Sequence, residues 1–144
     1  MKKLFLTATV IALCTFVASA QFMVTTTYDS DQIETSDKWT ANAGIGYMVN
    51  DMFTVGFAKG AVDEEGKDTY DLWARYNIAA CEGMYASIQM PTKNGSDNTQ
   101  IGLGFAMNVW NGLYVEPNYT MPTKKDEVTG KREGSFNFGL SYRF

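Results

Sequence analysis

The sequence predicts an all-β protein: an eight-stranded antiparallel up-and-down transmembrane β-barrel preceded by a signal peptide. Three observations carry that expectation. Apolar and polar residues alternate with period two along most of residues 21–144, short connections alternate with long polar ones, and each strand-like run has one apolar face. No stretch after residue 20 is apolar enough for a membrane helix, and no sustained 3.6-residue pattern appears.

Residues 1–20 read as an export signal. Lys2 and Lys3 supply a positive start, Leu4 to Val17 are mostly apolar, and Ala18-Ser19-Ala20 gives the small-x-small pattern of a cleavage site. The apolar run is roughly 14 residues, short of the ~20 that a spanning helix needs. Leu13 stands where lipoprotein processing requires a small residue, so Cys14 is expected to leave with the signal, and Cys81 is then a lone thiol. Without Lys2 and Lys3 the chain keeps ten basic residues against sixteen acidic ones, a net charge of −6 that disfavours nucleic acid as a partner. Residues 21–144 suit one domain, and no Pro-rich or Gly/Ser-rich linker divides them.

The strands follow in order. Phe22, Val24, Thr26 and Tyr28 share a face in the first, and Trp39, Ala41, Ala43, Ile45 and Tyr47 in the second. Past a tight turn at Asn50-Asp51, Phe53, Val55 and Phe57 alternate with Thr54, Gly56 and Ala58, ending at the acidic loop Asp63-Glu64-Glu65-Gly66. In the fourth, Tyr70, Leu72, Ala74, Tyr76 and Ile78 oppose Asp71, Trp73, Arg75 and Asn77; in the fifth, Met84, Ala86, Ile88 and Met90 oppose Tyr85, Ser87 and Gln89. The sixth sets Ile101, Leu103, Phe105, Met107 and Val109 against Gly102, Gly104, Ala106 and Asn108 before a hairpin signal at Asn111-Gly112. Leu113, Val115, Pro117, Tyr119 and Met121 form one face of the seventh, where Pro117 lacks an N–H and predicts a bulge. The last sets Phe136, Phe138, Leu140, Tyr142 and Phe144 against Asn137, Gly139, Ser141 and Arg143. Met90-Pro91-Thr92-Lys93 and Met121-Pro122-Thr123-Lys124 hint at an internal repeat.

Alternation alone also describes a secreted lipocalin-like barrel with its apolar face inward around a lipid. Face composition favours the reverse arrangement. The polar face is rich in Gly, Ala, Ser, Thr and Asn, which suits a narrow interior. The apolar face carries Phe22, Tyr28, Trp39, Tyr47, Tyr70, Tyr119, Tyr142 and Phe144 towards strand ends, where rings meet a lipid interface. Strands of about nine or ten residues cover the ~25 Å apolar band of an outer membrane. Short turns near 50, 81 and 111 are expected on the periplasmic side with both termini, and loops 29–38, 60–68, 91–98 and 122–134 outside.

In its final strand, Ser135-Phe136-Asn137-Phe138-Gly139-Leu140-Ser141-Tyr142-Arg143-Phe144, the chain resembles the small outer-membrane barrels of the OmpA and OmpX type. The resemblance covers residues 21–144 in pattern and this strand in motif. It implies that Phe138, Leu140, Tyr142 and Phe144 are read by the barrel-assembly machinery, and that the protein resides among outer-membrane lipids.

The chemistry is sparse. There is no histidine, so Ser-His triads, His metal clusters and His-dependent barrel enzymes are excluded. Gly44-Ile45-Gly46 and Gly102-Leu103-Gly104 lie inside strands without a following helix, so they make room rather than cradle phosphate. The acidic loops with Asp29, Asp31, Asp63, Glu64 and Glu65 lack EF-hand spacing. Asp71, Arg75, Glu116 and Arg143 fall on interior faces, which predicts a lumen salt-bridge network filling an otherwise narrow interior. No catalytic residue, metal ligand or cofactor site is expected. The function expected is a structural or surface-interaction role with a largely filled lumen; a narrow channel for small solutes is the alternative, and the soluble lipid-binding barrel a third. The sequence names no loop partner.

Overall fold

The computed structural model describes residues 21–62, 66–93 and 95–144. The expected signal segment and the acidic residues Asp63, Glu64 and Glu65 lie outside them. The strands are β1 (Phe22–Thr27), β2 (Gly44–Met48), β3 (Phe53–Val62), β4 (Asp68–Asn77), β5 (Met84–Pro91), β6 (Gln100–Phe105), β7 (Met107–Trp110), β8 (Leu113–Pro122) and β9 (Ser135–Arg143), with two single-turn helices, α1 (Asp37–Thr40) and α2 (Gly95–Asn98). β6 and β7 are two halves of one stave, so nine segments make a closed eight-stranded antiparallel up-and-down barrel in which β9 pairs with β1.

The register fixes the barrel's shape. From Met48 the pairs run through Thr54, Arg75, Ser87, Gly102, Thr120 and Ser135. Extending the β9–β1 and β1–β2 registers closes the circuit ten residues away from its start on β1. With ~3.3 Å per residue and ~4.8 Å between strands, a stagger of that size over eight strands tilts each strand by about 40°. A ten-residue strand such as β3 then rises about 25 Å along the barrel axis.

The apolar faces point outward. Val24, Ile45, Val55, Phe57, Leu72 and Ile88 are all exposed on the outer wall, while Met23, Thr54, Arg75, Tyr85, Glu116 and Ser141 are buried inside. Trp73 enters the lumen because its two wall neighbours are Gly46 and Gly56, where a Cβ would run into the indole. At Gly56 that Cβ would also meet the backbone carbonyl of Ile45. Gly56→Ala is therefore expected to cost about 1–3 kcal/mol in a denaturant titration; an unchanged midpoint would show that Trp73 moves aside freely.

Two expected features differ. The second strand begins at Gly44 rather than Trp39: the chain from Ser36 to Ala41 closes a helical turn, Thr40 N and Ala41 N donating to Ser36 O and Asp37 O at 3.1 and 2.9 Å, so these N–H groups need no partner strand, and Lys38 O accepts from Asp29 N at 2.8 Å just past the end of β1. β1 and β2 are accordingly six and five residues long, short of the nine or ten expected. Pro117 carries no bulge. β6 and β7 hold a single register against β8, with Gly104 opposite Asn118 and Met107 opposite Val115, and β8 keeps its register against β9. The missing N–H falls on the side of Phe105, where β6 ends, while on the stave's other edge Ala106 N–H keeps the β5 register by donating to Gly83 O at 2.7 Å. The ladder breaks there without an inserted residue. The register shift lies instead between Asn108 and Trp110, just before a turn with positive φ at Asn111 (31°) and Gly112 (88°), and it leaves Val109 and Trp110 both exposed.

The repeated Met-Pro-Thr-Lys has a shared structural job. Thr92 gives its backbone N–H and its hydroxyl to Tyr70 O at 2.9 and 2.7 Å, and Thr123 does the same to Thr99 O at 2.9 and 3.0 Å. Each proline precedes a threonine that ties off a carbonyl at the loop end of the neighbouring stave, Tyr70 O within β4 and Thr99 O just before β6.

Candidate functional site

Alternation puts even-numbered residues of β8 and odd-numbered residues of β4 and β9 inside, and a tight barrel brings them together. Glu116, 1 % exposed, is the centre. Arg75 Nη1 and Nη2 donate to its two carboxylate oxygens at 2.9 and 2.7 Å, Ser141 Oγ donates to Oε1 at 2.6 Å, and Arg143 Nη2 approaches Oε1 at 3.4 Å. The fork-to-fork geometry uses both terminal nitrogens of Arg75. Arg75 also lies 3.9 Å from the ring centroid of Tyr85 and 5.7 Å from that of Trp73, and Arg143 lies 3.9 Å from that of Tyr114, so aromatic faces share the cationic charge. Tyr85 seats its ring where Gly104 offers no side chain. Trp73 Nε1, Arg75 Nε and Arg143 Nε are buried without an acceptor among the described residues.

Of the four interior charges singled out from sequence, three therefore meet and one stands apart. Asp71 lies nearer the loop end, level with Ala58 and Pro91, and accepts a 2.7 Å hydrogen bond from Gln89 Nε2. Ser141, Tyr85 and Tyr114 were not singled out. Their signal was present in the alternation, which puts all three on interior faces beside the charges, but a neutral side chain advertises no need for a partner.

The lumen is closed at mid-height rather than filled throughout. Towards the loops it opens into a cavity of about 330 Å³ that reaches Asn42, Gly60 and Gln100. Towards the turns it opens into another of about 630 Å³ that reaches Asp51, Glu82 and Arg143. Met23, Tyr85, Glu116 and Ser141, none more than 2 % exposed, separate them.

The aromatic residues collect at both rims. At the turn end Phe22 meets Tyr47 at 5.4 Å between centroids, Phe53 meets Tyr76 at 5.0 Å, and Tyr142 meets Phe144 at 4.9 Å. Towards the loops are Tyr70 and Tyr119, both exposed, and Tyr28, whose ring meets Trp39 edge-on at 5.1 Å. Trp39 holds this place from α1 rather than from a strand. Phe53, Tyr76, Trp110 and Phe136 join these rims without having been counted among them. Phe138, Tyr142 and Phe144 are exposed along the outer face of β9, with Leu140 half-buried between them.

Beyond the rim, carboxylates shape the loops. Asp29 is held below the usual carboxylate range by the Gln32 side chain and the Asp31 N–H, at 3.0 Å each. Asp126 is lowered by the N–H groups of Thr129 and Val128, at 2.7 and 2.9 Å. Lys124 bridges to Asp97 at 3.0 Å and joins loop 91–98 to loop 122–134. No group of three or more potential metal ligands occurs among the described residues. Fold and interior together define a small closed β-barrel with a polar, plugged lumen and an apolar outer wall. A comparison with protein-family models, curated proteins and solved structures finds no match to this chain.

Proposed function

We propose that this chain is an integral outer-membrane barrel of the small OmpA and OmpX type, exported by residues 1–20, with a structural or surface-interaction role carried by its loops. One observation bears most of the weight. The barrel is apolar outside and polar inside, the reverse of what water demands of a barrel and what lipid demands. Aromatic rims at both ends, a rise of about 25 Å and a sheet with no free edge agree with a wall in hydrocarbon. The same inside-out arrangement speaks against a soluble barrel holding a greasy ligand, and the closed middle of the lumen speaks against an open pore.

In this reading the termini and short turns face the periplasm, β9 presents Phe138, Leu140, Tyr142 and Phe144 to the assembly machinery, and the longer loops meet the outside. The test is fractionation followed by gel migration with and without boiling. The protein is expected in the outer-membrane fraction, resistant to detergent at room temperature and shifted only on heating. Recovery in the soluble periplasm without a heat-dependent shift would overturn the proposal.

A further inference from the structure

The loop-side cavity has a chemistry that the plug beneath it does not use. Its volume of about 330 Å³ falls at the small end of the ~300–1,000 Å³ typical of small-molecule pockets. The floor, formed by Arg75, Tyr85 and Asn118, is sealed, so the space is a blind cup rather than a passage. The walls carry the hydroxyls of Thr25, Thr27 and Ser87 and the amides of Asn42 and Gln100, a ring of neutral donors and acceptors drawn from three strands and a loop. Convergent neutral hydrogen-bonding groups in a concave site suit a ligand with several hydroxyls.

Charge narrows the class further. Among the described lining residues only Asp71 and Arg75 are charged. Glu116 pairs with both terminal nitrogens of Arg75 and offsets its charge, and the remaining Nε, though without an acceptor among the described residues, is buried within the plug, so the cup's floor offers an anion little net positive charge. Asp71 has Gln89 as its hydrogen-bond donor and keeps acceptor capacity on a negative carboxylate. We propose that this cup binds a small polyhydroxylated amine, about one sugar ring in size, with its ammonium against Asp71 and its hydroxyls on the surrounding Thr, Ser, Asn and Gln side chains. The proposal rests on the interior alone and holds whether or not the outer wall sits in lipid.

The test uses the full mature chain, folded in detergent, with D-glucosamine, D-glucose and D-glucuronate as probes in calorimetry and saturation-transfer NMR. Glucosamine is expected to bind saturably and most tightly, glucose more weakly and glucuronate least. Asp71→Asn should weaken glucosamine about tenfold or more and bring it level with glucose, since a hydrogen bond to a charged group is lost. Thr27→Trp, at the mouth, should abolish all three, with far-ultraviolet circular dichroism confirming that each variant keeps the β-barrel. Absence of saturable glucosamine binding, equal affinity for glucosamine and glucose in the parent chain, or binding unaffected by either substitution would each overturn it.

Discussion

Glu116→Ala is expected to destabilise the barrel by about 3–5 kcal/mol, the range for removing one partner from a buried ion pair. The reason is what the substitution leaves behind. Arg75 is 8 % exposed and keeps its charge with no other carboxylate paired to it among the described residues, Arg143 loses its contact with Glu116, and Ser141 Oγ loses its acceptor. A neutral pair of similar volume, Arg75→Met with Glu116→Leu, removes both charges together and should recover much of the loss, because the pair's own net contribution is small beside the cost of isolating one member. Denaturant midpoints in vesicles or detergent measure both, and a loss below about 1 kcal/mol for the single variant would show that the guanidinium finds water by another route. The same variant addresses conduction. Met23, Trp73, Tyr85 and Tyr114 still occupy the middle of the lumen, so planar-bilayer recordings are expected to stay closed; opening would revive the narrow channel.

Most of this fold is written in period two. Strands β3 to β5 and β8 to β9 alternate cleanly, and tight connections such as Asn111-Gly112 carry turn residues whose positive φ the hairpin requires. Where alternation misled, a local competitor won. Trp39, Ala41 and Ala43 continue the apolar period of β2, yet the N–H groups of residues 38–41 bond within the local turn, and Lys38 O and Trp39 O accept from Asp29 N and Thr26 Oγ1, which leaves a strand ladder there little to add. Pro117 misled in a different way, since alternation cannot say which neighbour the missing N–H faces. That depends on the hydrogen-bonding phase of the pair, with Phe138 O already accepting from Tyr28 N just past the end of β1. The interior charges were legible as a set because only a few charged residues fall on inward positions. Their pairing was not, because it depends on barrel stagger: a ten-residue stagger sets Arg75, Glu116 and Arg143 at matching heights and leaves Asp71 nearer the loops. The cup above the plug exists for the same reason.

Leu103→Arg separates a lipid-facing wall from a water-facing one. Leu103 lies on the outer face of β6, between Ala86 and Tyr119 on the neighbouring strands, and is 52 % exposed. Val109 lies on the same stave near the turn end and is 54 % exposed. Against water, two such similar exposures predict similar and small effects, since surface substitutions usually stay within about 0.5 kcal/mol. Against hydrocarbon, depth decides: an arginine near the midplane costs about 2–4 kcal/mol and one near the interface about 0–1. The guanidinium at position 109 can reach headgroups and water past the rim formed by Trp110, whereas at position 103 it must thin the bilayer or stay unsolvated. Reversible unfolding into phospholipid vesicles is therefore expected to show Leu103→Arg losing about 2 kcal/mol more than Val109→Arg. Equal losses would mean that the exposed apolar wall meets something other than a bilayer, because only a medium with a depth-dependent polarity distinguishes two positions that the barrel itself exposes alike.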